Sequence, residues 1–97
     1  MASQSRNEFI EKMKKGLDDL DERIEDLKQR GDKLEGEAHK EYENRLHDLR
    51  EKRREAKRKL DDAQSAGEEK WQQFKDEAEH AWTALGNSFN YLKSHFK

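Results

Sequence analysis

The sequence contains no cysteine and no proline among its 97 residues. Without cysteine, disulfide bonds, thiolate metal ligands and cysteine nucleophiles are excluded, and without proline nothing forbids a long uninterrupted helix. Apolar residues are scarce, at 30% of the chain, whereas ordinary globular domains have about 45–50%. The sequence also lacks the run of about 20 apolar residues that a membrane span requires and the apolar run of a secretory signal. We therefore expect one small cytoplasmic domain.

The apolar residues that are present follow a helical pattern. Charged residues make up 45% of the sequence but nearly cancel, leaving a formal net charge of −2. So low an apolar content could leave the chain disordered, but the spacing of the apolar residues is regular. From Ile10 they recur in steps of three or four residues, which is the heptad pattern of coiled-coil helices. We therefore predict an all-α fold built from long amphipathic helices.

The heptad pattern is strongest near the two ends of the sequence and thinner in the middle. Six of the eight aromatic residues lie after position 70, and large rings at helical spacing bury much apolar surface. We predict that the large apolar side chains form the packing cluster of a bundle or an oligomer interface. Its expected members are Leu17, Leu20, Ile24, Leu27, Trp71, Phe74, Trp82, Leu85 and Phe89.

Two places in the sequence carry signals for a turn. Ser65 is followed three residues later by Glu68, with Gly67 between them. This spacing is typical of the start of a helix and predicts a turn near residues 64–67. The two glycines of residues 31–36 each cost about 1 kcal/mol relative to alanine inside a helix, yet the heptad pattern continues across them in phase.

Two architectures are compatible with these signals. In the first, residues 1–6 are flexible, residues 7–64 form one long helix, and residues 65–97 form an aromatic-rich helix that folds back in an antiparallel coiled coil or helical hairpin. In the second, a further turn near residues 31–36 divides the long helix and produces a three-helix bundle.

Blocks of opposite charge lie at mirrored distances along the chain. Residues 17–27 hold six acidic side chains and one arginine, and residues 50–59 hold seven basic side chains and two acidic ones. The acidic stretch 68–79 lies beyond the predicted turn. A hairpin or a two-fold axis would place each acidic block beside the basic run, so we predict charge pairing that sets helix orientation. The residues predicted to pair are Asp18, Asp19 and Glu22 with Arg53, Arg54, Lys57 and Arg58.

Candidate chemistry is limited to metal-ligand spacing, which occurs in one set of three residues and in a second i, i+4 pair, Asp76 and His80. His39, Glu43 and His47 lie at i, i+4 and i+8 on one face of a helix, and imidazole with carboxylate suits zinc. The outer two residues are about 12 Å apart along the helix axis, which is too far for one ion without a ligand from another chain. We therefore expect no metal site, with these three residues as weak candidates. A narrow helical seam rarely offers the pocket in which a general acid or base works, so we also expect no cofactor, no small-molecule substrate and no enzymatic activity.

These patterns predict a non-enzymatic interaction protein that self-associates as a dimer or a higher homo-oligomer. One alternative is a peripheral membrane protein that binds the lipid surface through its aromatic C-terminal helix. Another is a nucleic-acid-associated protein that uses the basic stretch 50–59. That stretch contains two glutamates and no interleaved aromatic residue, which disfavours nucleic acid.

The segments EYENRLHDLREKR and WQQFKDEAEHAWTALGNSF, together with the heptads before them, resemble a group of small, mostly uncharacterised bacterial coiled-coil proteins. Members of this group are sometimes described as stress-response proteins. The resemblance implies a long helical hairpin or an oligomer, a stress-associated scaffold or protective role, and no known enzymatic activity. It carries no functional residues over to this chain.

Overall fold

Residues 2–95 form three α-helices. The computed structural model describes the backbone of residues 2–95 and the side chains of residues 6–94. Helix α1 spans Ala2–Gly31, α2 spans Gly36–Ser65 and α3 spans Glu68–His95. The bundle measures 52 × 18 × 18 Å, close to the length of about 45 Å expected for a 30-residue helix. The all-helical prediction is confirmed.

The chain adopts the second of the two predicted architectures. A turn at residues 32–35 separates α1 from α2, so residues 7–64 do not form one helix. Residues 2–6, for which the sequence predicts a flexible segment, belong to α1. A single long helix would need another molecule to cover its apolar stripe. The turn instead lets α1 bury its stripe against α2 of the same chain.

The turn between α1 and α2 depends on two glycines with different roles. Gly36 has φ +63°, a left-handed conformation that costs other residues about 1–2 kcal/mol. Gly31 ends α1 directly beneath the fully buried ring of Tyr42, where a Cβ atom would lie 2.3 Å from the ring carbon Cδ1. One glycine therefore reverses the chain, and the other allows the close approach of α1 and α2.

At the other end of the bundle, Arg6 of α1 satisfies the C-terminal end of α2. The last carbonyl groups of a helix have no partner within the helix. The Nη2 atom of Arg6 donates hydrogen bonds to backbone carbonyls at this end, and its guanidinium lies 4.9 Å from the ring centroid of Trp71. The accepting carbonyls are those of Ala63 at 3.1 Å, Gln64 at 2.9 Å and Ala66.

Among the side chains of residues 6–94, the core is one apolar cluster to which each helix contributes a stripe. Helix α2 lies in contact with both other helices and packs more extensively against α3 than against α1. Its fully buried alanines, Ala56 and Ala63, let the neighbouring helices approach closely. The buried core residues are Ile10, Met13, Leu17, Ile24, Leu27, Tyr42, Leu46, Leu49, Ala56, Leu60, Ala63, Ala78, Leu85, Phe89 and Leu92.

Helices α1 and α3 meet mainly through aromatic side chains. The rings of Phe9 and Trp71 form an edge-to-face pair with centroids 5.7 Å apart. Farther along, Trp82 lies against Gly16, where a Cβ atom would come within 2.7 Å of the indole. Because these rings separate the two backbones, a groove opens between α1 and α3.

Candidate functional site

The residues predicted to form the packing cluster all belong to the core or border it. Five of them are buried, and the other four are partly buried and pack against the buried cluster. The buried ones are Leu17, Ile24, Leu27, Leu85 and Phe89, and the partly buried ones are Leu20, Trp71, Phe74 and Trp82. Much of the apolar surface that the sequence offered for self-association is therefore covered within one chain.

The aromatic residues of α3 point toward the other two helices. Trp71, Phe74 and Trp82 pack against the core cluster. Among the side chains of residues 6–94, Tyr91 is the large hydrophobic residue that is exposed, at 37%. Its ring lies 4.5 Å from the guanidinium carbon of Arg45 on α2. A membrane-binding aromatic face would require most of these rings to leave their present positions.

The basic run of residues 50–59 is neutralised largely by the chain itself. Six of its seven basic side chains make an ion pair. Two of these pairs connect α2 to the neighbouring helices, Arg53 with Asp21 of α1 and Lys59 with Glu77 of α3. The other four lie within α2: Lys52 with Asp48, Arg54 with Glu51, Lys57 with Asp61 and Arg58 with Glu55.

The pair between α1 and α2 involves a neighbour of the predicted acidic residues. Arg53 donates two hydrogen bonds to the carboxylate of Asp21, at 2.9 and 2.8 Å. With about 100° between successive residues, Asp21 lies beside the buried stripe of α1 and faces α2. Glu22 lies nearly opposite that stripe, and Asp18 is exposed as well.

The predicted set of charge pairs therefore needs correction within the chain. In the described part of the molecule, Asp18, Asp19 and Glu22 make no ion pair within 4 Å, and Asp21 takes their predicted place. On the basic side, Arg53 pairs across helices, whereas three of the predicted residues pair within their own helix. These three are Arg54, Lys57 and Arg58.

A groove runs along the bundle between α1 and α3 and is lined by residues of both helices. One part has a volume of about 350 Å³ and is lined by Leu20, Trp82 and Gly86 among others. A second part, of about 270 Å³, continues it along the bundle, and Arg23, Phe89 and Lys93 line both parts. The groove therefore has apolar walls and a charged rim.

The α1 side of this rim carries four charged residues of alternating sign, which we call the charge row: Asp19, Arg23, Asp26 and Arg30. Their spacing of four, three and four residues keeps them within about 60° of one another around the helix. All four are exposed. The sequence places Asp19 four residues before Arg23 and Asp26 four before Arg30, an arrangement that favours pairs within a helix.

Among the side chains of residues 6–94, no ion pair within 4 Å and no side-chain hydrogen bond involves a member of the charge row. The side chains of the row are therefore available to groups outside the chain. The spacing of four residues predicts pairs of Asp19 with Arg23 and of Asp26 with Arg30 within the helix, and neither pair is present among the described side chains. The sequence pattern did not indicate that the four residues form one row. The signal that could have found it is the alternation of sign at heptad spacing.

The residues with metal-ligand spacing are partly brought together. Nε2 of His39 lies 3.6 Å from Oε1 of Glu43, as expected for neighbouring turns of a helix. The turn after α1 adds Asp32, so that one donor atom from each of the three residues lies within 4.8 Å of the others. His47 is exposed and is not part of this group.

Tyr42 is a titratable residue at the end of the core next to this group. Burial raises the pKa of its phenol above the ordinary value of 10.0, and the nearby Glu43 carboxylate raises the pKa further. The positive charge of Arg30 acts in the opposite direction. The neutral phenol is thus the favoured form at this position.

No family model, no curated protein and no solved structure matches the chain. Over residues 2–95, no helix combines the length and the apolar character needed to cross a membrane.

Proposed function

We propose that this protein is a non-enzymatic interaction protein that forms an antiparallel dimer with a second copy of itself through the groove between α1 and α3. The observation that carries the proposal is the charge row. Its signs run negative, positive, negative, positive along α1. A second copy that lies antiparallel presents these signs in the reverse order, positive, negative, positive, negative. Each charge then faces a charge of opposite sign, so the row is complementary to the row of an antiparallel copy.

The pairing has one natural register. Asp19 and Arg30 are equidistant from the midpoint between residues 24 and 25, and so are Arg23 and Asp26. A two-fold axis at that midpoint places Asp19 opposite the partner's Arg30 and Arg23 opposite the partner's Asp26. The two-fold repeats both pairs, giving four ion pairs across an interface in which each chain presents the same surface.

The charges would set orientation, and the apolar groove would supply much of the affinity. Exposed ion pairs contribute about 0.2–1 kcal/mol each, so four of them contribute about 1–4 kcal/mol and weaken as salt is added. Charge complementarity mainly selects the partner and the register. The partly buried side chains of Leu20 and Trp82 beside the row would lose further water-accessible surface in the dimer.

The test is to change the sign pattern of the row. We expect Arg23→Asp with Arg30→Asp, which makes the row entirely negative, to be monomeric at concentrations at which the unmodified chain is dimeric. Asp19→Lys with Asp26→Lys, which makes the row entirely positive, should be monomeric as well. An equimolar mixture of these two variants should form a heterodimer. Sedimentation equilibrium gives the mass in each case, and circular dichroism shows whether each variant remains folded.

A matched control reverses two acidic residues on another face of α1. Asp18→Lys with Glu22→Lys changes the net charge by the same amount as the all-positive variant but leaves the charge row intact, so it should still form a dimer. The proposal is wrong if the unmodified chain remains monomeric up to millimolar concentration, if the two oppositely charged variants fail to associate, or if the control dissociates to the same extent.

The biological setting of such a dimer stays a prediction. The stress-associated scaffold or protective role rests on the resemblance of the helical segments alone, and so does the bacterial origin. The cytoplasmic location rests on composition. The proposed dimer agrees with the homo-oligomer that the heptad pattern predicts, although its contacts use the charge row rather than the buried stripes.

A further inference from the structure

We infer that Asp32, His39 and Glu43 form a binding site for a zinc ion at the turn between α1 and α2. One ligand atom from each residue lies within 4.8 Å of the other two. An imidazole with two carboxylates is a donor set that zinc accepts, and three protein ligands leave a fourth position for water. The site involves no member of the charge row and is independent of the proposed dimer.

The fold brings the three ligands together in two steps. His39 and Glu43 lie one turn apart on the same face of α2, with 3.6 Å between Nε2 and Oε1. Asp32 follows the last residue of α1, and the left-handed conformation of Gly36 returns the chain toward α2. Asp32 therefore approaches the pair from a different segment of the chain.

Only small movements separate this arrangement from metal coordination. Bonds of about 2.0–2.2 Å in a tetrahedral zinc site place neighbouring ligand atoms about 3.3–3.6 Å apart. The pair of His39 and Glu43 already has this spacing. Asp32 is exposed, and the side chains of His39 and Glu43 are 37% and 45% exposed. Rotations of these side chains can close the remaining distance without repacking the core.

The local charge also favours a divalent cation. Carboxylate oxygens of Asp32 and Glu43 lie within 4.8 Å of each other, so two negative charges stand close together and repel each other. A doubly charged ion compensates both. Because the imidazole is a ligand, zinc should be preferred over magnesium and calcium.

We predict that bound zinc stabilises the turn between α1 and α2. An ion that binds the folded chain and not the unfolded chain raises the melting temperature in proportion to the logarithm of its concentration above the dissociation constant. We expect zinc chloride to bind with one ion per chain in isothermal titration calorimetry and to raise the melting temperature. Equal concentrations of magnesium chloride should have no such effect.

Variants at exposed positions test the assignment. His39→Ala and Asp32→Asn should each weaken zinc binding by more than about tenfold, because even residues that only support metal ligands cost about 10–100-fold when mutated. His80→Ala is the matched control. His80 is exposed and follows Asp76 by four residues, but the two have no third ligand among the described side chains.

Circular dichroism without metal checks that the variants are folded, and the NMR signals of the four histidines report which ring is bound independently of stability. The inference is wrong if zinc shows no saturable binding up to millimolar concentration, if His39→Ala binds as tightly as the unmodified chain, or if the signals of His80 or His47 shift instead of those of His39. Zinc binding that requires two chains per ion would also contradict a site within one chain.

Discussion

Replacing Gly31 with alanine should leave the protein less stable than replacing Gly86 with alanine, although both changes introduce a better helix former. Each substitution removes a glycine from a helix, which by itself is worth up to about 1 kcal/mol. At Gly86 the new methyl group meets nothing within 4 Å. At Gly31 it would lie 2.3 and 2.5 Å from two ring carbons of Tyr42.

The size of the effect follows from the packing around Tyr42. Carbon atoms pack best at about 3.5–4.0 Å, so the ring or α1 must move by more than about 1 Å. The ring is fully buried, so it has no open space to enter. Overpacking of this kind typically costs about 1–3 kcal/mol. The two alanine variants should therefore differ by about 1–3 kcal/mol in the free energy of unfolding.

Thermal and urea unfolding measure this difference directly. For a domain of this size, each kcal/mol changes the melting temperature by about 4–8 °C. A second experiment repeats Gly31→Ala in Tyr42→Leu and Tyr42→Phe backgrounds. The penalty should vanish with leucine, which removes the ring, and remain with phenylalanine, which keeps it. Equal stability of the two alanine variants, or a penalty that survives Tyr42→Leu, would refute the close contact.

Three further predictions concern the turn, an ion pair and the buried phenol. Gly36→Ala should lower the free energy of unfolding by about 1–2 kcal/mol because φ is +63°. Gly67→Ala should lower it little or not at all in the same urea assay, because Gly67 has no positive φ. A double-mutant cycle of Arg53→Ala and Asp21→Ala should give a coupling of about 0.2–1 kcal/mol that falls in 1 M salt, whereas a salt-independent value would contradict an exposed pair. Because the pKa of Tyr42 is raised in the folded chain, its phenol contributes fully to stability below pH 10, and this contribution is lost as the pH rises further. Phenylalanine has no group that ionises, so Tyr42→Phe should lose less stability at alkaline pH than the unmodified chain.

The charge pattern of the sequence predicted which segments pair but not which residues form the ion pairs. The acidic and basic blocks have midpoints near residues 22 and 54, so a hairpin or a two-fold axis centred near residue 38 would bring them together. The observed pair of Asp21 with Arg53 has its midpoint at residue 37. Which acidic residue makes the pair depends on the direction of each side chain around α1. Block charge carries no information about that direction, so the individual partners could not be assigned.

The metal-ligand spacing likewise indicated residues that share a helical face but not a residue that the fold brings to them. Spacing along one helix identified His39 and Glu43, because residues four apart share a helical face. It also suggested His47, which lies too far along the axis. Asp32 was not identified because it belongs to a turn, and its distance from α2 depends on how the chain leaves α1.

The repeat of apolar residues every three or four positions determined that this chain is helical, since only a helix places those residues on one side. The repeat also indicated which large side chains are covered. Tertiary structure decided whether the helix breaks at residues 31–36, because an apolar stripe can be buried against a second molecule or against the same chain, and both arrangements satisfy the same pattern. Two glycines favour the fold in which α2 packs back on α1: Gly36 tolerates the left-handed backbone of the turn, and Gly31 leaves room for the ring of Tyr42. The contact between Gly31 and Tyr42 exists only once α1 and α2 lie side by side.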